Sequence, residues 1–137
     1  MAGANSTQAT SSLVPKPWGC EYLAFGDANV AVWYLHIRAG EATSYHYHDT
    51  KTTMLTVLSG EVEVNNQVLS SGDSRFIPKG HAHRTKAITD SWLVEVETPA
   101  DKEDLVRVSD AYGREGKPYE AKRIPINGYE FPSKEFP

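Results

Sequence analysis

Two His-x-His pairs hold four of the five histidines of this chain, and they are the residues best suited to chemistry. The pairs are His46 with His48 and His81 with His83. Side chains alternate between the two faces of a β-strand, so residues two apart point the same way. Each pair can therefore direct two imidazoles into one space. Because neutral imidazole is a common ligand of transition metals, the pattern predicts a metal site.

Each pair lies within a frame of turn-forming residues. The first pair follows Gly40 and precedes Gly60, and the second follows Gly72 and the turn at residues 78–80. Glycine and proline in such positions mark the ends of short elements. Between residues 21 and 97 the chain reads as eight or nine short strands with almost no helical periodicity, and Asn65-Asn66 is typical of a hairpin turn. These features predict an all-β sandwich or barrel.

The two frames, in order and with their spacing, resemble the signature motifs of the cupin superfamily, which are small jelly-roll β-barrels. The flanks at residues 17–19, 94–97, 103–107 and 110–114 are similar to the cupin domain of type II mannose-6-phosphate isomerases. This resemblance implies a single-domain cupin barrel over residues 15–99. It also implies a divalent metal (Zn, Mn, Fe or Ni), a cytoplasmic location, and a homodimer that acts on a sugar, sugar phosphate or nucleotide sugar.

The two ends of the chain differ in character from the barrel. Residues 1–14 are mostly small and polar, and we expect a mobile tail there. Residues 100–137 contain breaks at glycine and proline but enough apolar side chains to pack. We expect this C-terminal extension to cover the barrel or a neighbouring subunit. Its first part, residues 101–107, could form a short helix or an extended polar arm.

The resemblance places the metal ligands on His46, His48 and His83, with His81 as an additional candidate. The carboxylate ligand of the family would fall seven residues before Gly60, where this chain has Thr53. A hydroxyl group is a poor substitute because a carboxylate supplies charge as well as an oxygen ligand. Three interpretations remain open: a three-histidine site, a fourth ligand from elsewhere, or a lost metal site on a barrel that still binds a ligand. The candidates for a fourth ligand are Asp49, Glu95, Glu97 and His81.

Three further residues are weaker catalytic candidates. Lys51 follows the first histidine pair, where it could meet a carboxylate or phosphate or simply be a solvated loop lysine. Glu95 shares a strand face with Glu97 and is either a ligand or proton shuttle near the metal, or an ordinary solvent-facing carboxylate. His36 is isolated in an apolar strand and becomes an acid or base candidate only if its face is the barrel interior.

Composition excludes several classes of function. A net charge of −4 over 137 residues argues against a nucleic-acid surface, which is usually basic. No apolar run is long enough to span a bilayer, and the N-terminus lacks the features of a secretory signal. The single cysteine, Cys20, cannot form an internal disulfide, which fits a reducing compartment. The remaining functions are a metal-dependent, isomerase-like cupin with a small-molecule substrate, a three-histidine non-haem iron dioxygenase, and a non-catalytic carbohydrate-binding cupin.

Overall fold

In the computed structural model of the chain, residues 12–130 are described, and residues 1–11 and 131–137 lie outside that part. The described part consists of short β-strands and one 3-10 turn at Ile126–Gly128. The strands are β1 (Ser12–Lys16), β2 (Gly19–Gly26), β3 (Ala31–Ile37), β4 (Tyr45–Tyr47), β5 (Thr52–Ser59), β6 (Glu61–Val64), β7 (Gln67–Ser70), β8 (Ser74–Ile77), β9 (Thr85–Ala87), β10 (Ser91–Thr98), β11 (Val106–Ser109) and β12 (Ile124–Pro125).

The strands form two antiparallel layers. One is a seven-stranded sheet in the order β12-β1-β2-β3-β10-β5-β8. The other combines the pair β11-β4 with the three strands β7-β6-β9, and two isolated bridges, Ala42 to Lys86 and His46 to His83, connect these groups. The apolar core lies between the layers and includes Trp33, Leu35, Leu55, Val57, Val62, Val64, Ile77 and Leu93. The predicted all-β jelly roll is confirmed.

Strand alternation explains which residues face the core. On β10, Leu93 and Glu97 are buried while Val96 is exposed, as expected for neighbours that point to opposite faces. Asn65 and Asn66 both have positive φ, 47° and 70°, and they join β6 to β7 as a type I′ hairpin turn. Gly60 has a φ of 92°, and a Cβ there would lie 2.5 Å from the Asp90 carbonyl oxygen. Gly60, just before β6, is therefore required both by its backbone conformation and because a side chain would clash.

The structure corrects two expectations about the chain ends. The predicted mobile tail at 1–14 extends too far, because β1 begins at Ser12 and both Leu13 and Val14 are buried. The rest of that tail lies outside the described residues. The helix alternative for residues 101–107 is wrong, since a turn is followed by β11, in which buried Arg107 alternates with exposed Val108. Among residues 12–130, no helix has the length and apolarity needed to cross a membrane.

The C-terminal extension packs on the barrel as far as it is described. Strand β11 pairs with β4, which carries the first histidine pair, and β12 pairs with β1. Tyr129 is buried in a second apolar cluster with Leu13 and Cys20. Burial raises the pKa of the Cys20 thiol to about 12, so it behaves as a packed apolar group. The extension therefore helps to build the surroundings of the histidines.

Candidate metal centre

Three histidines from two adjoining segments converge inside the barrel. His46 and His48 lie on or just after β4, and His83 is joined to His46 by an antiparallel bridge. One ring nitrogen of each residue lies within 4.8 Å of the other two. The ring centroids of His46 and His83 are 4.4 Å apart, and those of His46 and His48 are 5.0 Å apart. The predicted convergence of these three side chains is confirmed.

A backbone carbonyl holds the outer nitrogen of each ring. His46 Nδ1 lies 2.8 Å from the Ser44 carbonyl oxygen, His48 Nδ1 lies 2.6 Å from that of Asp104, and His83 Nδ1 lies 3.1 Å from that of His81. A carbonyl oxygen can only accept, so each Nδ1 carries the proton. Each Nε2 is then left with its lone pair directed toward the shared space. Such outer hydrogen bonds orient metal-binding histidines and raise their basicity.

The protein environment keeps these imidazoles neutral. Burial and, after it, the nearby Lys51 ammonium lower the pKa of His48 to about 3. Burial likewise lowers the pKa of His83 to about 4 and that of His46 well below its usual range, with the other imidazoles adding to the effect at His46. A metal binds the neutral form of histidine, so no proton must be displaced at neutral pH. The donor set therefore fits a divalent transition metal.

Asp104, in the C-terminal extension, fixes the position of the first pair. Its carboxylate accepts hydrogen bonds from the amides of Asp49, Thr50 and Lys51, at 2.8, 2.9 and 3.0 Å. Its carbonyl oxygen is the partner of His48 Nδ1. Burial alone would raise the pKa of Asp104, but these amide hydrogen bonds hold it at about 2. One residue thus holds both the loop after β4 and one of the three rings.

Replacing Asp104 with alanine is expected to weaken zinc binding by about 10- to 100-fold, the usual effect of removing an outer partner of a metal ligand. The loop at residues 49–51 would lose three amide contacts, and the carbonyl that orients His48 would shift with it. Competition with a chromophoric chelator measures the affinity. Glu103→Ala, an exposed neighbouring substitution, is the matched control. Equal affinities in the two variants would contradict a positioning role for Asp104.

The three histidines open into a cavity of about 540 Å³, a volume that includes space open to solvent. Its wall carries an unusual number of charged side chains for a barrel interior. The cations are Lys16, Lys51, Lys102, Arg107 and Arg114, and the anions are Glu21, Glu95 and Glu97. Trp18, Leu35 and Leu105 supply apolar wall. This lining suits a small polar ligand that also carries charge.

Two lysines organise the carboxylates of the cavity. Lys51 Nζ lies 2.9 Å from Glu97 Oε2, and both side chains are almost fully buried. Lys102 Nζ lies 3.4 Å from a Glu21 oxygen and 3.9 Å from oxygens of both Glu95 and Glu97. Burial would lower the pKa of Lys102, but these three carboxylates raise it above its usual value. Lys102 is therefore charged, and both lysines hold carboxylates inside the cavity.

Glu95 is the cavity carboxyl suited to proton transfer at neutral pH. Burial raises its pKa to about 7, with Lys102 opposing the shift and Glu97 adding to it. A carboxyl group with a pKa near the working pH can both accept and release a proton. Perturbed groups of this kind are concentrated at functional sites. Of the three catalytic candidates, Glu95 thus combines a place in the cavity wall with a suitable pKa.

Comparison with known proteins agrees with this geometry. Residues 33–96, which include all three histidines, match the family described as a cupin domain. A solved structure of an RmlC-like cupin from Shewanella frigidimarina superposes with a TM-score of 0.63, at 20% identity over 68% of this chain and 87% of that one. The fold is that of a cupin. Both findings agree with the jelly-roll fold of the described residues.

Other solved structures share the cupin fold across wide sequence distances. KdgF from Halomonas sp. is 20% identical, with a TM-score of 0.60 over 63% of this chain and 83% of that chain. A variant of oxalate decarboxylase from Bacillus subtilis is 14% identical, with a TM-score of 0.65 over 72% of this chain but only 30% of the decarboxylase. At such identities the likeness shows the fold alone. No curated protein sequence matches this chain significantly.

The structure places two of the candidate residues outside the cupin cavity. His36 lies on the face of β3 opposite Leu35, where its ring packs against Trp92 and its Nδ1 lies 2.7 Å from the Tyr129 hydroxyl. Its face is therefore not the barrel interior, and the condition for a catalytic role is not met. His81 is exposed, because it precedes the bridge at His83 in a loop where strand alternation does not apply. The His81 backbone carbonyl, not its ring, contacts the site, because its oxygen accepts the hydrogen bond from His83 Nδ1.

The other candidates lie in or beside the cavity. Lys51 is 1% exposed, so the solvated-loop interpretation is wrong. Glu95 and Glu97 both face inward on β10, as their shared strand face allowed. Within the described residues no carboxylate joins the histidine cluster, and Asp49 is exposed. Thr53, buried at the position of the expected carboxylate, pairs across the sheet with Glu97, whose carboxylate is held by Lys51.

Sequence reasoning missed most of the charged residues that line this cavity. Lys16, Glu21 and Lys102 are far from the histidines in sequence, and long-range folding brings them together. One signal was present: Arg107 occupies an alternating position between Val106 and Val108 in a short strand. A charged residue on the buried face of such a strand is informative because lone burial is costly. The sequence alone does not show which face is buried.

Proposed function

We propose that this chain is a metal-dependent cupin enzyme that carries out an isomerase-like reaction on a small polar metabolite. The substrate class is a sugar, a sugar phosphate or a nucleotide sugar. The observation that carries the proposal is one cavity that holds both three convergent, neutral histidines and Glu95, whose pKa is raised to about 7. A Lewis-acid site and a proton carrier in one space suit proton transfer next to a carbonyl.

The residues of the cavity have separate roles in this proposal. His46, His48 and His83 would hold the metal, which when bound would polarise a carbonyl and hydroxyl pair. Glu95 accepts a proton from the hydroxyl-bearing carbon beside the carbonyl and returns it to the former carbonyl carbon, while the hydroxyl proton passes to the former carbonyl oxygen. Lys102, 3.9 Å from Glu95, limits how far burial raises its pKa. Lys51 holds Glu97 and presents positive charge toward the histidines.

Isomerisation of this type is expected to exchange a substrate hydrogen with solvent. The metal-loaded chain in D₂O should introduce deuterium beside the carbonyl of mannose 6-phosphate or fructose 6-phosphate, as followed by NMR. Glu95→Gln should slow exchange by roughly 10²- to 10⁴-fold, the usual contribution of a general base. Because the base form of Glu95 appears as pH rises through about 7, the wild-type rate should increase from pH 6 to pH 8.

Glu103→Gln, which removes an exposed carboxylate from the extension, is the control for this experiment. It should leave exchange unchanged. A Glu95→Gln variant that exchanges as fast as wild type would remove Glu95 from the mechanism. No exchange with any phosphorylated or free sugar in a panel of aldoses and ketoses, by a protein that holds metal, would contradict the isomerase-like reaction.

A second function is favoured by the ligand set itself. Within the described residues the cluster contains three histidines and no carboxylate. A neutral set of three imidazoles that leaves coordination positions open also suits non-haem Fe(II) and oxygen. Oxygen consumption by the iron-loaded chain in the presence of substrate would identify the dioxygenase, because an isomerase consumes none.

The proposal includes a cytoplasmic homodimer, as the family resemblance implies. A row of exposed apolar side chains crosses the outer face of the seven-stranded sheet. This row supports the proposed dimer. Phe25, Val96, Met54 and Phe76 are 59%, 39%, 40% and 56% exposed, and the last three are successive cross-strand neighbours. Apolar rows of this size on a sheet face commonly mark an interaction surface. A second copy of the chain is the partner that we propose.

A further inference from the structure

One carboxylate at the edge of the cavity is surrounded by three cations. Glu120 Oε1 lies 3.1 Å from Lys16 Nζ and 2.6 Å from Arg107 Nη2, and Glu120 Oε2 lies 3.0 Å from Arg114 Nη1. These residues come from β1, β11 and the loops after it, so the fold brings them together from distant parts of the chain. The three cations Lys16, Arg107 and Arg114 are called the cationic triad below.

The cations and the carboxylate are buried to different extents. The side chains of Lys16, Arg107 and Arg114 are 2%, 3% and 9% exposed, whereas that of Glu120 is 38% exposed. Glu120 lies in residues 117–123, which contain no strand or helix. The cationic triad is therefore part of the barrel wall, and the carboxylate reaches it from a surface segment. Releasing Glu120 would return a partly solvated carboxylate to water, and an incoming anion would have to replace its contacts with the three cations.

The cationic triad also contacts groups other than the Glu120 carboxylate: Lys16 Nζ donates to the Glu120 carbonyl oxygen, and Arg107 Nη1 donates to the Lys117 and Pro118 carbonyl oxygens. Arg107 Nε is buried without a hydrogen-bond partner among the described residues. Asp110 accepts hydrogen bonds from Arg114 through both carboxylate oxygens. A Glu21 oxygen lies 3.8 Å from Lys16 Nζ, and the other lies 3.4 Å from Lys102 Nζ. Burial alone would raise the pKa of Glu120, but the three cations lower it to about 2, so it is charged. Three carboxylates thus face the cationic triad, and Glu120 is the one that all three cations share.

All three cations also line the cavity into which the histidines open. We propose that the cationic triad is the binding site for an anionic group of the substrate, and that Glu120 occupies this site until the substrate displaces it. The ligand class is an oxyanion, and a phosphate monoester fits best. It carries up to two charges and three acceptor oxygens, which match one ammonium and two guanidinium groups.

The inference rests on the proposed function in one respect: the three histidines and the cationic triad line the same cavity. It narrows the substrate class to phosphorylated or otherwise acidic metabolites, with the reacting carbons near the histidines. A ligand that bridges both positions would be held at two ends, which fixes its orientation. Arginine supplies planar, paired donors for this purpose, so lysine would not replace Arg107 or Arg114 equally.

Inorganic phosphate binding to the metal-free, full-length chain tests the inference directly. Isothermal titration in the presence of a chelator would compare wild type, Glu120→Gln and the control Glu103→Gln, with chloride at matched ionic strength. Glu120→Gln removes an internal competitor, so it should bind phosphate about tenfold more tightly if Glu120 occupies the site nine-tenths of the time. Glu103→Gln removes the same charge from the extension and should bind as wild type does.

The double variant Arg107→Gln/Glu120→Gln has the net charge of wild type but lacks one donor, and it should lose the gained affinity. Acetate in place of phosphate tests whether the site prefers a phosphate to a carboxylate. Acetate should bind more weakly than phosphate at the same concentration. Phosphate binding that is unchanged by Glu120→Gln, or equal in the single and double variants, would overturn the inference. The phosphate titration uses metal-free protein, so its result does not depend on whether the histidines bind a metal. A chain that binds phosphate but no metal would refute only the proposed function.

Discussion

A Lys51→Met variant is expected to lose about 3–5 kcal/mol of unfolding free energy, the usual consequence of removing one partner from a buried ion pair. Lys51 and Glu97 are 1% and 2% exposed in their side chains, and their charged atoms lie 2.9 Å apart. Without the ammonium, the Glu97 carboxylate would stay in the cavity with only Lys102, at 3.9 Å, for compensation. Urea denaturation followed by tryptophan fluorescence measures the loss.

The double variant Lys51→Met/Glu97→Leu is the matched control for this prediction. It removes both charges and fills their places with apolar groups of similar volume, so it should recover most of the lost stability. A single variant within 1 kcal/mol of wild type would show that the pair is solvated in solution. A double variant as unstable as the single one would show that Lys51 stabilises the barrel by packing rather than by its charge.

Added zinc is expected to stabilise the metal-free protein by about 2.7 kcal/mol at a free concentration one hundred times its dissociation constant. The reason is that His46, His48 and His83 meet only in the folded chain, so the metal binds the native state in preference to the unfolded one. Denaturant titration with and without zinc, after removal of bound metal by a chelator, measures the difference. Manganese, nickel and anaerobic iron(II) extend the comparison.

Two variants make the zinc experiment specific. His46→Ala/His48→Ala should abolish the stabilisation, because one ring alone does not form the site. His81→Ala should keep it, since that exposed ring lies outside the cluster although it belongs to the second His-x-His pair. Equal stabilisation of the double variant and wild type would place the zinc elsewhere. Loss of the effect in His81→Ala would show that our exclusion of His81 is wrong.

The features that sequence reasoning predicted are those that depend on local chemistry. Turn glycines, the Asn65-Asn66 hairpin and the alternation on β10 follow from backbone geometry and strand period, and each is confirmed. The convergence of His46, His48 and His83 follows from the same period together with the frame spacing. That these rings bind a metal remains a prediction.

The parts that sequence reasoning did not predict depend on which face of a strand meets the barrel interior. His36 and Leu35 are neighbours on β3, and only the folded structure shows that Leu35 faces the cavity. Asp104 is distant in sequence from His48, and Glu120 is distant from Lys16, so no local pattern connects either pair. The His81 error has a local cause: the two-residue period was applied to a segment that is not a strand.

Metal content of the purified chain, produced without a histidine tag, tests the central claim most directly. Elemental analysis of wild type beside His46→Ala/His48→Ala should give about one transition metal per wild-type chain and none in the variant. Iron in the wild-type protein would favour the dioxygenase, and zinc, manganese or nickel would favour isomerisation. No metal in the wild-type chain, even after reconstitution, would contradict the account and leave a carbohydrate-binding cupin without metal chemistry.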